Sequence, residues 1–176
     1  MAKAKKIPLN SPALKKRLKK VKMLVLDVDG VLTDTSIFYV PNRGWSRVYS
    51  VRDGIGILAL LKAGFKVAVI SAGESQDVVE RVKLLGIPYA YFGTDDKLSQ
   101  FEKLMAETGL KNEQVAYIGD DWPDLEVLKR VGFAATVPDA VPSVKKVAHY
   151  VTEVAGGKGA TREVAEAILT WATPST

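Results

Sequence analysis

Asp27 and Asp29 close a short apolar run in the order Asp-Val-Asp-Gly at 27–30. Residues two apart on an extended strand face the same way, so their carboxylates are set side by side at the strand's end. Two such charges repel, and if both are buried they need a cation or a shared proton. Ligation by oxygen alone suits a hard divalent ion, and magnesium is expected. A second acidic group, Gly-Asp-Asp at 119–121 followed by Asp124, ends another apolar run. Asp120 offers a further metal oxygen there, while Asp121 approaches a helix start opened by Pro123. Either group alone has a plainer, less favoured reading as loop and cap aspartates. Their occurrence at the ends of separate buried strands favours metal-assisted chemistry.

Two weaker candidates complete an anion site. Ser71 ends a third apolar run and precedes Ala72 and Gly73, where a hydroxyl and backbone N–H groups can hold a phosphate oxygen. Lys97 follows Gly-Thr-Asp-Asp and enters a helical stretch. An ammonium there neutralises phosphate charge and holds a carboxylate nucleophile in place. In isolation these are a turn serine and a surface lysine. Neither GIGIL at 54–58 nor GGKGAT at 156–161 has the spacing or context of a dinucleotide or Walker-type loop.

The elements that must position these groups alternate regularly. Strand-like runs at 21–27, 65–71, 89–93, 114–119 and 132–137, with a sixth candidate at 148–152, are separated by helical stretches near 54–63, 75–85, 96–109 and 123–130, and a last one covers 160–171. Apolar runs that do not alternate imply strands buried on both faces. The fold class is therefore α/β: an open, mostly parallel, Rossmann-like sheet with helices on both faces, which binds ligands at its strand ends. Gly64, Gly86, Gly109 and Gly132 stand where four helices should stop. Residues 36–51 break the rhythm and read as a β-hairpin insert around Pro-Asn-Arg-Gly, with Arg47 interrupting the second arm. A lone hairpin this rich in aromatic and branched residues is marginal in water, so the domain or another subunit should cover it.

The 176 residues, 47% of them hydrophobic, suffice for one core. The expected division is a basic arm and short helix at 1–20, one catalytic domain at 21–171 and a tail at 172–176. Ser11 and Pro12 should start the short helix, with Leu14, Leu18 and Val21 as its apolar stripe. With no cysteine and only His149, thiol chemistry is excluded and a zinc cluster or histidine triad disfavoured. No apolar run is long enough to span a bilayer and no secretory signal is evident, so no membrane partner and a cytoplasmic location are expected. The net charge of +5 is misleading, because nine basic and no acidic residues fall within 1–22, leaving a formal net of −4 elsewhere. No specific nucleic-acid partner follows from such an arm.

The ordered segments DVDGVLTD (27–34), VISAGES (69–75), GTDDK (93–97) and GDDWPD (119–124) resemble the four motifs of the haloacid dehalogenase superfamily. With the hairpin, VRDGIGI (51–57) and GGKGATREVAEAIL (156–169), the chain resembles its capless subfamily containing the 3-deoxy-D-manno-octulosonate 8-phosphate phosphatases. The resemblance implies that Asp27 attacks phosphorus and Asp29 serves as acid and base. It implies Ser71 and Lys97 as phosphate ligands, and Asp27, the main-chain carbonyl of Asp29, and Asp120 as magnesium ligands. Asp121 and Asp124 become supporting acidic residues. It further implies a phosphorylated 3-deoxy-2-keto sugar acid as substrate and a homo-oligomer, a tetramer, as the assembly.

The second motif departs from the subfamily, which carries Gly-Arg-x-Ser where this chain has Gly73, Glu74 and Ser75. Glutamate there resembles the related nononate 9-phosphate phosphatases, and it can accept hydrogen bonds from sugar hydroxyls. Thr33, Arg52, Ala72, Gly73, Glu74, Lys158 and Arg162 are the candidate substrate-binding residues, with Arg43 and Arg81 as further carboxylate partners. A phosphatase for other sugar phosphates or nucleotides and a phosphoryl-accepting regulatory domain are the alternatives.

Overall fold

The computed structural model describes residues 8–174. The basic start at 1–7 and the last two residues of the tail lie outside the described residues. Ser11 caps α1 (Pro12–Leu18) by accepting from Leu14 N–H at 3.4 Å, and β1 (Met23–Leu26) follows. The insert forms an antiparallel hairpin, β2 (Phe38–Val40) and β3 (Gly44–Ser46). Its expected end at 51 is too late, because Val51 already opens α2 (Val51–Lys62), which Ser50 caps.

From α2 onward the alternation holds: β4 (Lys66–Ile70), α3 (Gln76–Leu84), β5 (Tyr89–Tyr91), α4 (Lys97–Thr108), β6 (Val115–Ile118). A 3-10 turn at Trp122–Asp124 leads into the short α5 (Leu125–Leu128), so the stretch expected at 123–130 is split. Then come β7 (Phe133–Thr136), α6 (Pro142–Val147), β8 (Tyr150–Val151) and α7 (Ala160–Trp171). The six-stranded sheet is parallel throughout, in the order β5-β4-β1-β6-β7-β8. Its strand order reverses beside β1, which is the crevice where such sheets bind ligands. Met23 pairs with Val115 and Leu26 with Ile118, so β1 and β6 end level and their following loops face each other.

Alternate residues of β1 feed two cores. Leu24 and Leu26 join the side built with α1, α2, α3 and α7, including Leu14, Leu18, Ile57, Val78 and Ile168. Met23 and Val25 join Phe101 and Leu104 of α4 and Val127 of α5 on the other. The helix expected to belong with the arm thus supplies fully buried side chains to the main core. Helices α2 and α7 pack closely: a Cβ at Gly56 would lie 3.0 Å from the Arg162 backbone. The buried Asp53 accepts from Arg162 N–H at 2.9 Å, and so caps α7 from a neighbouring helix.

Three of the four stop glycines, Gly64, Gly86 and Gly109, adopt positive φ as a left-handed helix end demands. Gly132 does not. A Cβ there would lie 2.3 Å from the Glu113 carbonyl oxygen, so close backbone approach is its constraint. Among the described residues no helix is long and apolar enough to cross a membrane. Truncating Leu18, which is fully buried, should cost about 2–5 kcal/mol in urea unfolding, as for other core leucines. An unchanged midpoint in Leu18→Ala would mean that α1 is an appendage.

Candidate active site

The loops after β1, β4 and β6 and the start of α4 meet at one end of the sheet. Asp27 follows β1 and is only 5% exposed, and Lys97, the first residue of α4, is 3% exposed. The Lys97 ammonium lies 2.7 Å from Asp27 Oδ1 and donates to Asp124 Oδ1 at 2.7 Å. Asp124 is fully buried. It also accepts from the Tyr117 hydroxyl at 2.6 Å and, on Oδ2, from the N–H groups of Asp120 and Asp121 at 3.0 and 3.2 Å. Four donors therefore saturate it, which makes Asp124 a brace for Lys97 and for the loop carrying Asp120. Burial, then the charge of Asp124, pushes the Asp27 carboxyl well up, while Lys97 pulls it back. Burial also works against the charge on Lys97, but Asp27 and Asp124 outweigh it and hold the ammonium above its ordinary value.

Asp120 completes the cluster. One oxygen each from Asp27, Asp120 and Asp124 lie within 4.8 Å of one another. Asp120 Oδ1 is buried with no hydrogen-bond partner, and burial, then Asp124, pushes its carboxyl up to about 6. An orphaned carboxylate oxygen beside a second buried carboxylate is the donor set a hard divalent cation requires. The residues fit magnesium, with Asp27 and Asp120 each offering a carboxylate oxygen and that of Asp120 unpartnered. Gly30 makes the approach possible: its φ is +85°, and a Cβ there would lie 2.1 Å from Asp120 Oδ2.

Asp29 turns away from this cluster. Its side chain is 39% exposed, and its two oxygens accept from Arg47 Nε and Nη2 at 2.5 and 3.0 Å. The carboxylate of Asp29 is thus separate from the metal candidates. Ser71 is buried after β4, and its Oγ accepts from Gly73 N–H at 3.1 Å, which ties the loop to the strand end.

The remaining sequence candidates fare unevenly. Thr33 is fully buried, with its hydroxyl 3.4 Å from Val28 O and Asp29 Oδ1; it braces the loop and has no surface for a ligand. The Gly73 N–H is already committed to Ser71, and Ala72 is exposed beside it. Asp121 is exposed and accepts from Trp122 N–H at 2.8 Å, the cap role read from the sequence. Glu74 is exposed and leans over Gly93, where a Cβ would lie 2.5 Å from its Oε2. Lys158 donates to Asp34 at 2.9 Å, and both border a cavity of about 340 Å³ shared with Gly30 and Asp120. Arg162 is spent on Glu166 at 2.7 Å, and Arg52 stands exposed on the first turn of α2. Arg81 donates to Ser50 O at 3.1 Å, while Arg43 lines a surface groove between the hairpin and α3.

Two residues of the site lay outside the sequence candidates. Tyr117 is hidden in the apolar run of β6, where nothing distinguishes a hydrogen-bonding tyrosine from a packing one. Arg47 did leave a signal, as a charge interrupting an apolar arm.

Residues 92–163 match the model of the haloacid dehalogenase-like hydrolases. The 3-deoxy-D-manno-octulosonate 8-phosphate phosphatase KdsC of Yersinia pestis is 41% identical over 154 residues, covering 87% of this chain and 82% of that protein. The structure of the 3-deoxy-D-manno-octulosonate 8-phosphate phosphatase of Moraxella catarrhalis, in complex with magnesium ion, phosphate ion and KDO, superposes with a TM-score of 0.87. It is 37% identical, over 90% of this chain and 91% of that one. The cobalt-bound Haemophilus influenzae phosphatase YrbI gives a TM-score of 0.83 at 39% identity, over 88% of this chain and 90% of that one. With a parallel sheet whose switch point carries the paired carboxylates and whose insert is a hairpin, this chain belongs to the haloacid dehalogenase-like hydrolases, in the capless branch that holds the 3-deoxy-D-manno-octulosonate 8-phosphate phosphatases.

Proposed function

We propose that this chain is a magnesium-dependent phosphomonoesterase that hydrolyses 3-deoxy-D-manno-octulosonate 8-phosphate through an aspartyl-phosphate on Asp27. The observation that carries the reaction type is the buried Asp27–Lys97–Asp124 chain beside the unpartnered oxygen of Asp120. The substrate rests on relatives about 40% identical over most of the chain, one of them solved with magnesium, phosphate and the sugar acid.

Asp27 and Asp120 would hold magnesium through their carboxylates, with the main-chain carbonyl of Asp29 as a third oxygen. When bound, the ion offsets the charge between carboxylate and phosphate. Lys97 holds Asp27 at 2.7 Å and faces it toward the substrate. Ser71 Oγ and Lys97 hold the phosphate oxygens. As the Asp27 oxygen bonds to phosphorus, the bond to the sugar oxygen breaks, and Asp29 gives that oxygen its proton. Asp29 then takes a proton from the water that attacks the aspartyl-phosphate, which returns Asp27 and releases phosphate.

Glu74 favours a second reading, the nine-carbon nononate 9-phosphate, because an exposed carboxylate at the pocket rim accepts hydrogen bonds from additional sugar hydroxyls. A magnesium-supplemented panel of the eight- and nine-carbon sugar-acid phosphates, neutral sugar phosphates and nucleotides tests both. Highest kcat/KM on the eight-carbon acid is expected, and equal low turnover throughout would reject the sugar-acid reading. Asp27→Asn should lower phosphate release about a thousandfold or more, since an amide is a poor nucleophile. Near-normal turnover by this variant would reject the covalent path.

The raised pKa of Asp120, about 6, has a stability consequence. A carboxyl whose folded pKa exceeds its unfolded value costs stability above that pKa and returns it as pH falls through the pKa toward the ordinary value. Metal-free protein should therefore melt higher at pH 5 than at pH 7.5, and magnesium should recover the difference at pH 7.5. Asp120→Asn should raise the metal-free melting temperature at pH 7.5 by roughly 2–4 °C per kcal/mol relieved, and abolish the response to magnesium. A wild-type chain whose melting ignores both pH and magnesium would contradict this.

The assembly completes the reading. Ile37, Phe38, Tyr39 and Trp45 of the hairpin and Val51, Ile55 and Leu58 of α2 are exposed, and an apolar surface of this kind is what subunits cover. The hairpins meet around the axis of a cytoplasmic tetramer, where neighbouring subunits close each open strand-end pocket. Light scattering should give about four times the chain mass, as for a closed symmetric assembly. The double substitution Ile37→Ser, Tyr39→Ser should lower that mass and raise KM. A fully active monomer would rule this out.

A further inference from the structure

We propose that Arg47 reads the carboxylate of the substrate, and that Asp29 occupies its place until the substrate arrives. This rests on the reading of the substrate as a phosphorylated acid.

Arg47 directly follows β3, and its side chain is 9% exposed. Its guanidinium is held from one end. Nη1 donates to Ser75 Oγ at 2.6 Å and to Asp77 Oδ1 at 3.2 Å, and Ser75 in turn donates to Asp77 Oδ1 at 2.6 Å. The opposite edge, Nε and Nη2, faces the active-site mouth and grips both oxygens of Asp29. Two parallel N–H groups on one rigid plane match the two oxygens of one carboxylate. The edge is therefore a built carboxylate site.

Its present occupant is the group assigned to the proton transfers. With both oxygens gripped, Asp29 cannot give a proton to a leaving oxygen or take one from water, so the fork must release it for the reaction to proceed. Release into water would leave a largely buried guanidinium facing Asp77 alone. Transfer to a carboxylate on the substrate keeps the charge balance and the two hydrogen bonds. The anchor on Ser75 and Asp77 keeps the plane seated when Asp29 leaves, and the exposed flank of Asp29 leaves the fork open from outside. Gly73 keeps the space clear, because a Cβ there would lie 3.1 Å from Arg47 Nη2 and 3.5 Å from Asp29 Oδ2. Binding of the correct acid thus frees the group that does the chemistry, while a phosphate ester with no carboxylate leaves Asp29 gripped.

The test compares two phosphate esters on the full chain with magnesium: 3-deoxy-D-manno-octulosonate 8-phosphate, which has a carboxylate, and p-nitrophenyl phosphate, which has none. Arg47→Gln should lower the ratio of the two kcat/KM values about 100-fold, mainly by raising KM for the acid. Arg47→Lys keeps the charge but not the fork, and should lower the ratio about tenfold. It also carries the test if the glutamine variant does not fold. An Arg47 that only anchors the hairpin would reduce both substrates by the same factor, and an unchanged ratio in either soluble variant overturns the proposal. A wild-type chain with no preference for the acid overturns the substrate reading and this proposal together. A wild-type preference that survives substitution overturns the proposal alone.

Discussion

Asp27, Asp120 and Asp124 converge around a single ammonium, Lys97, the one buried lysine among the described residues. Bringing these carboxylates out of water is costly, and one cation cannot neutralise them all. Asp124 is satisfied by four donors and needs nothing further. Asp27 shares Lys97, and Asp120 is left with an oxygen that nothing in the chain serves. The imbalance has a direction: the charge that remains unmet lies on the side where a divalent ion and a phosphate would stand. A fully compensated cluster would be more stable, but it would have no affinity to offer.

The fold determines where this imbalance can be placed. In a parallel sheet the loops after the strands share one edge, and only at the switch point do two adjacent strands send their chains to opposite sides. Strands β1 and β6 end in register there, which brings Asp27 opposite Asp120 with no long loop between them. The close approach then depends on backbone. Gly30 turns at positive φ where a side chain would collide with Asp120, and at Gly156 a Cβ would lie 1.8 Å from the Gly30 oxygen. The glycine-rich stretch before α7 is thus pressed against the loop that follows Asp27, and Asp53 fixes it by capping that helix.

The strands and their order of types were legible because burial on both faces leaves an unbroken apolar run, and each run kept its place within two residues. Asp27 and Asp120 were legible because each follows the end of such a run and the two acidic groups occur together, whereas Lys97, at the start of α4, gained meaning only beside them. The partners of those charges were not. Asp124 read as one more supporting acid, whereas its position relative to Lys97 depends on how α4 packs beside the 3-10 turn at 122–124. Tyr117 looks like any core aromatic until its hydroxyl is seen to end on Asp124. Thr33, a candidate substrate-binding residue by sequence, is folded inward by its loop. Gly132 was read as a helix stop, though its constraint comes from a backbone far away in sequence, and that is invisible to local reasoning.

The hairpin combines two constraints that a sequence cannot separate. An isolated two-stranded ribbon is marginal in water, and here the outer side chains, with Tyr39 and Trp45 in edge contact at 5.5 Å, gain little from the parent domain. Its order comes from the root. Tyr49 donates to Asp77 at 3.2 Å, and Arg47 reaches Ser75, Asp77 and Asp29 from the same side. Polar bonds of this kind are directional and fix the angle at which the ribbon leaves the body, which an apolar contact would leave loose. The same root that orients the exposed apolar face therefore ends on the carboxylate assigned to proton transfer. A force on the outer face, from a neighbouring subunit or from its loss, has a short and rigid path to Asp29. Among the described residues, the hairpin is the insert through which surroundings and chemistry can be joined.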